Sequence, residues 1–491
     1  MRTPSTVAGI ALSGGVVTGL AQGVRIGISF VSVVVLARLL EPQDFGLIAA
    51  VAPIIAFVGL FQNLGLQQAI VQRRSITDEM LDETFWASAG IGFAAFLAAA
   101  ALAPLAANFY GDTNVTNATI WLSVSLLIGS LSTVPLALLN RELSFARLAT
   151  IEVVSACLGL SVAVVLALRG WGYHSLLLST VAATTAATSG AWIFHRWRPR
   201  RPTWTIDREL LKFGAGLTGF NVVNFFSRSA DNILIGRFIG LGALGFYDRA
   251  YKLLLFPLQN VSHPLGRVMI PLLSRLQDDP TRFRRVYVQT IWGLSILIVP
   301  GIAALTMTST GAIAVLFGPQ WAPVAPIFAW LGFVGISQLV LNPTGWIFIC
   351  LGRTGAMFKL GMFTATVTVG SFVAGLPWGV EGVAAAYAIS AYVLRIPALV
   401  YVTHRIGPVS WFDLVEPLIT LYIATALAWG GLLWIRTQLP LGPIETVICA
   451  LILCYSGAAL VALANPRTRI NLVQPASKAW QLLRHGVAWT S

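Results

Sequence analysis

Apolar runs about twenty residues long follow one another along the whole chain, separated by short polar intervals. A run of that length crosses the hydrocarbon core of a bilayer as a helix. The pattern predicts fourteen spanning helices, near residues 12–38, 45–71, 85–108, 118–139, 147–168, 174–195, 212–238, 249–274, 288–310, 324–351, 356–376, 380–402, 413–435 and 443–464. No polar interval is long enough for a soluble domain. The expected fold class is an all-α membrane protein. The first run, from about Ile10 to Leu40, carries Gln22 and Arg25 and lacks the short apolar core and small-residue cleavage site of a signal peptide. It reads as the first, uncleaved span.

Composition agrees. Of 491 residues 56% are hydrophobic and 10% charged, and the mean hydropathy is +0.78; soluble domains carry about 25% charged residues. The four cysteines, Cys157, Cys350, Cys449 and Cys454, all lie in apolar runs and read as inert buried thiols, without zinc or disulfide spacing. A net charge of +13 can mean nucleic-acid binding, but here topology explains it. With the N-terminus cytoplasmic, that side holds most of the Lys and Arg, including Arg73, Arg74 and the groups at 196–212, 275–285 and 467–484. The opposite side holds only Arg38, Arg169, Arg237, Arg249, Lys252 and Arg436. Positive charge is retained inside, so both termini are expected in the cytoplasm of a multi-pass inner-membrane protein.

The chain also repeats itself. LARLLEPQDFG (Leu36–Gly46) and IGRFIGLGALG (Ile235–Gly245) each place an arginine, Arg38 or Arg237, seven positions before an apolar-glycine pair. Further landmarks keep the order: FQNLG at Phe61 and LQNVS at Leu258, YGD at Tyr110 and FGP at Phe317, WGYHS at Trp171 and WGVEG at Trp378, and His195-Arg196 with His404-Arg405. The expected organisation is a six-helix lobe at 1–200, a second at 205–405, and two further helices with a short cytoplasmic tail at 406–491. HRWRPRRPTWTIDRELLK joins the lobes as a solvated linker. Six helices per lobe give both the same orientation, as in parallel-repeat transporters. A cleft should lie between them.

Polar stripes suggest what lines it. The first helix carries Thr18, Gln22, Arg25, Ser29 and Ser32, and the seventh carries Thr218, Asn221, Asn224, Arg228 and Asp231. Both sets follow helical spacing, and an offset of 199 maps Gln22, Arg25, Ser29 and Ser32 onto Asn221, Asn224, Arg228 and Asp231. The eighth helix adds Gln259, Asn260, His263 and Arg267, and the twelfth adds Arg395. A central arginine costs about 2.5–3.5 kcal/mol on insertion scales, so it should face protein or a wet cavity. Two readings stand side by side. The charges can tie the bundle together, as an Arg228–Asp231 pair would, or they can line a cavity, which suits Arg25 because its own helix offers no acid at pairing distance. Arg395 can line the cavity or snorkel to the cytoplasmic edge. Arginine-rich stripes point to an anionic cargo, because guanidinium grips diphosphate bidentately and stays charged. The substrate-contact candidates are Arg25, Arg228, Arg267, Gln22, Asn221 and Asn224. Asp231 and His263 are the ion-coupling candidates. No metal or cofactor motif is present, and a proton or sodium ion would drive transport.

LARLLEPQDFGLIAAV, FQNLGLQQAIVQR and LFGPQWAPVAPIFAWL together resemble the bacterial polysaccharide flippases of the multidrug/oligosaccharidyl-lipid/polysaccharide exporter superfamily, over residues 10–460. The resemblance is closest to exporters of lipid-linked exopolysaccharide, O-antigen, colanic or teichuronic acid units. It implies two six-helix lobes, often fourteen helices and a cationic cavity. It also implies a cargo of undecaprenyl-diphosphate-linked repeat units, crossing by alternating access for lipopolysaccharide or exopolysaccharide synthesis. Related lipid II flippases use an arginine of the first helix, for which Arg25 is the match; the other cavity charges have no clear counterpart. The implied partners are the lipid-linked oligosaccharide, membrane lipids, a polysaccharide polymerase and glycosyltransferases, and not nucleic acid. Two alternatives differ in chemistry. A multidrug–cation antiporter would show buried carboxylates, where these stripes hold only Asp231. A membrane polymerase or ligase would need a long exterior loop, and none occurs. Walker A, HExxH and paired loop carboxylates are absent, which argues against ATP-driven transport and hydrolysis.

Overall fold

The computed structural model describes residues 4–62, 66–72, 76–201, 225 and 229–464. No strand occurs among them. Contacts divide the chain into two compact units, Met1–Asp248 and Arg249–Ser491.

The first unit contains α1 (Pro4–Leu39), α2 (Pro42–Gln62), α3 (Leu66–Gln72), α4 (Asp78–Tyr110), α5 (Asn114–Ser130), α6 (Thr133–Arg141), α7 (Phe145–Leu168) and α8 (Tyr173–Phe194). Residues 229–238 form α9. α10 (Leu241–Pro257) starts in this unit and continues into the second. There follow a π turn (Leu258–Ser262), α11 (His263–Ser274), α12 (Pro280–Met307), α13 (Ser309–Leu316), α14 (Val324–Leu341), α15 (Thr344–Cys350), α16 (Thr354–Gly375), α17 (Gly379–Ser390), a π turn (Ala391–Arg395), α18 (Ile396–Ile406), α19 (Trp411–Gln438) and α20 (Pro443–Ala464).

Local chemistry sets several ends. The Thr77 hydroxyl accepts from the Met80 N–H at 3.3 Å, and Asp78 and Glu79 follow at the positive end of α4. That helix stops at Gly111, whose φ of 72° lets its N–H reach Ala107 O. α19 opens with a capping box between Ser410 and Asp413. Asp413 also takes both Nε and Nη2 of Arg284, at 2.6 and 2.8 Å, latching α19 to α12. Within the bundle, small residues form the seams. α4 buries Ala95, Ala99, Ala103 and Ala106, and α20 buries Ala450, Cys454, Ala458 and Ala462. Lipid offers no hydrophobic drive between helices, so close approach and dispersion must supply it, and small side chains allow that.

Each expected span meets helical residues. Among the described residues, nine helices are long and apolar enough to cross a membrane, or ten if the pair α5 and α6, bent by 46°, counts as one. The count among the described residues is therefore below the expected fourteen. The seventh expected span lies largely outside the described residues. The eighth is interrupted by a π turn, and the tenth is divided into α14 and α15. The eleventh and twelfth fall in one continuous helical stretch, Thr354–Ile406, with a 3₁₀ turn at Leu376–Trp378 after which α17 packs back along α16.

One expectation changes. Arg249 was placed at the exterior start of a span beginning at 249, yet α10 begins at Leu241 and buries both Asp248 and Arg249. Within GLGALG only Gly240, at φ 120°, takes a left-handed conformation. In the described part of the basic linker Arg196, Arg198, Arg200 and Arg201 are exposed, and its backbone is tethered to α4. Asp82 accepts from the Arg200 N–H at 3.0 Å, Trp86 Nε1 donates to Arg200 O at 2.7 Å, and Arg198 sits 5.3 Å from the Trp192 ring centre. The rest of the linker lies outside the described residues. The repeated stretches do occupy matching places. Leu36–Gly46 runs from α1 into α2, and Ile235–Gly245 runs from α9 into α10.

Candidate functional site

α1 packs along α7, and this puts an acid beside Arg25. Its Nη1 lies 3.5 Å from Glu152 Oε2, with the two side chains 46% and 55% exposed. A pair so open is weakly held and readily exchanged. A diphosphate offering two oxygens in the plane of the guanidinium would compete well with one carboxylate oxygen. Gln22, one turn earlier, is half-buried and makes no side-chain hydrogen bond among the described residues. Ser29 is exposed and Ser32 half-buried. Glu152 was missing from the sequence-derived stripes. Its signal was an acid about two turns inside the apolar run Phe145–Leu168, a costly place for a charge.

The other candidates are placed unequally. Asn221, Asn224 and Arg228 lie outside the described residues. Phe225 packs against Phe57 of α2, ring centres 5.6 Å apart. Asp231 is buried in α9, where it accepts from its neighbour's N–H (Asn232) at 2.8 Å and from the Tyr247 hydroxyl at 3.2 Å. Neutral donors thus satisfy it within its own unit. Arg267 is exposed on α11 with no partner among the described residues. His263 opens α11, and its side chain lies outside what is described.

Arg395 is oriented inward. It sits on the π turn, and its guanidinium reaches back along the helix, 4.0 Å from the Tyr387 ring centre. Nη2 donates to Tyr387 O at 2.7 Å and Nη1 to Thr368 Oγ1 at 3.2 Å. Gln338 Nε2 holds the Tyr387 hydroxyl at 2.9 Å, and Phe372 stacks on its ring. The guanidinium therefore points back along its helix toward Tyr387, away from the His404–Arg405 end. Nε is buried without a hydrogen-bond partner.

Comparison with known proteins fits this picture. The chain is 24% identical over 368 residues to the lipopolysaccharide biosynthesis protein WzxC of Escherichia coli (strain K12), covering 74% of this chain and 75% of that one. It is 27% identical over 354 residues to the succinoglycan biosynthesis transport protein ExoT of Rhizobium meliloti (strain 1021), covering 71% of each. Among solved structures it superposes on the lipid II flippase MurJ in an inward closed conformation, with TM-score 0.71, 14% identity and coverage of 94% of this chain and 100% of that one. An inward-facing multidrug resistance MATE family transporter of the MOP superfamily gives TM-score 0.55 at 17% identity, covering 79% and 94%. These structures establish a shared transporter fold. A family model described as polysaccharide biosynthesis protein matches residues 35–326, more than half the chain, and the chain therefore belongs to that family.

Proposed function

We infer that this protein is a flippase that moves lipid-linked oligosaccharide repeat units from the cytoplasmic to the periplasmic leaflet of a bacterial inner membrane. The cargo crosses without covalent change, by alternating access between the lobes at 1–200 and 205–405, and both termini are cytoplasmic. The observation that carries this reading is Arg25: a cation on a membrane-spanning helix, half exposed, held by one loose acid contact. The names of WzxC and ExoT, drawn from polysaccharide biosynthesis and transport, support it.

The diphosphate of an undecaprenyl carrier is the chemistry Arg25 would recognise. Moving that charge through low dielectric alone is prohibitive, and a fixed guanidinium replaces water as its partner. Gln22, Asn221 and Asn224 would meet sugar hydroxyls, and Arg228 and Arg267 would share the anion. Asp231 and His263 are the groups to test for proton coupling, with sodium as the other ion. A polymerase and glycosyltransferases would act on either side of this step.

Reconstitution decides the matter. Purified protein in liposomes should move a defined undecaprenyl-diphosphate oligosaccharide to the opposite leaflet, read by lectin or enzyme access. Transfer no faster than in empty liposomes, over a panel of such lipids and with proton and sodium gradients supplied, would overturn the reading.

A further inference from the structure

The repeated stretches do more than resemble one another: they touch. Gly46 lies four residues after the start of α2 at Pro42, and Gly245 four residues after the start of α10 at Leu241. A Cβ built on Gly46 would fall on the carbonyl oxygen of Leu241, 2.6 Å from its carbon and 3.0 Å from Gly245 N. A Cβ built on Gly245 would fall on the carbonyl oxygen of Pro42, 2.7 Å from its carbon and 3.1 Å from Gly46 N. The contact is reciprocal, and the offset of 199 maps Pro42 onto Leu241 and Gly46 onto Gly245. Backbone meets backbone across a local two-fold relation, with no room for a side chain on either partner. Small residues permit such crossings, and the glycine Cα–H groups face carbonyl oxygens, a weak interaction. The joint is close yet lightly held.

Its surroundings form a collar. A Cβ on Gly236 would meet the Tyr110 ring at 2.8 Å, Arg237 stands 5.6 Å from the Phe109 ring centre, and a Cβ on Gly172 would meet Asp44 Oδ1 at 3.1 Å. At its far end α10 passes into the π turn Leu258–Ser262, at the LQNVS landmark. Such local changes of winding recur at functional sites.

We propose that the Gly46–Gly245 crossing of α2 and α10 is the extracytoplasmic gate: shut, it is a backbone-to-backbone seal between the repeats, and it must part for cargo to leave. This rests on the transport reading for its purpose and on the charge asymmetry for its side of the membrane. A side chain at either glycine prevents closure, so Gly46→Ala and Gly245→Ala hold the gate open.

The test uses a cysteine-free chain, with Cys157, Cys350, Cys449 and Cys454 replaced, and one reporter, Leu244→Cys, at a fully buried position. A membrane-impermeant maleimide applied from outside should label the parent slowly. Adding Gly46→Ala or Gly245→Ala should raise labelling at least tenfold and lower cargo transfer at least tenfold. Gly242→Ala is the control, because a Cβ there meets nothing within 4 Å, and it should change neither. Unchanged labelling overturns the gate, whatever happens to transfer. Raised labelling in a chain whose parent moves no lipid-linked oligosaccharide supports the gate and counts against the cargo reading instead. Should the alanine variants fail to fold, Gln43→Cys with Gly242→Cys leaves both glycines intact. A reducible bifunctional reagent joining those thiols should stop transfer, and reductant should restore it. Transfer at the parent rate by fully joined protein overturns the proposal.

Discussion

Arg25 and Arg395 are the same residue type on membrane helices, and they are held in opposite ways. Arg25 keeps nearly half its side chain open and touches one acid at 3.5 Å. Arg395 lies over an aromatic ring, donates to a carbonyl and a hydroxyl, and draws Thr368, Tyr387 and, through Tyr387, Gln338 into one cluster. An intramembrane cation is expensive in either setting. The second is compensated from within its own unit, whereas the first is compensated loosely and leaves donors for something else. The contrast lies in exposure: Arg25 keeps its donors open, whereas Arg395 spends both Nη groups on its own unit.

The sharpest way to break that contrast is Arg25→Ala. Removing a charged partner of a desolvated anion costs about 2–5 kcal/mol, so transfer should fall on the order of a hundredfold or more at normal membrane abundance. Arg25→Lys, which keeps the charge and loses the planar fork, should fall roughly tenfold in the same liposome assay. Wild-type transfer by a correctly inserted Arg25→Ala protein would remove the distinction altogether.

Arg395→Ala should act on stability instead. It breaks two hydrogen bonds and leaves the Tyr387 carbonyl short of a donor, at about 2–3 kcal/mol. Thermal unfolding in detergent should shift down and abundance should drop, with transfer per folded molecule within about twofold of the parent. A stable Arg395→Ala protein that transfers nothing would place this arginine with the cargo.

Glu152→Gln should give the smallest effect. An exposed ion pair is worth ~0.2–1 kcal/mol, a factor of about 1.5–5, and the acid competes with the cargo for Arg25. The apparent KM should fall by that factor, and the difference from the parent should shrink as salt is raised. Loss of transfer on this substitution would show that Glu152 is required in its own right.

Much of the architecture was legible because lipid imposes it. A segment that must bury its backbone polar groups in hydrocarbon becomes a helix, so apolar length alone pointed to an all-helical membrane chain, and the cap at Thr77 and the stop at Gly111 follow from residue chemistry. The repeat was also visible, since the offset of 199 between LARLLEPQDFG and IGRFIGLGALG needs no coordinates. Helical spacing likewise placed Gln22, Arg25, Ser29 and Ser32 on one face of α1.

Other features depended on which faces meet, and periodicity does not carry that information. Glu152 reaches Arg25 only because α7 lies along α1. Asp231 accepts from the Tyr247 hydroxyl, sixteen residues on, a partner that helical spacing along one segment does not offer. A π turn re-aims Arg395 toward Tyr387, a one-residue change in winding that an apolar pattern does not reveal. The same holds for Gly46 and Gly245. The sequence determined that they are equivalent, and only the packing of α2 on α10 decided that they are in contact, because whether two backbones can close to that distance depends on every side chain along both helices.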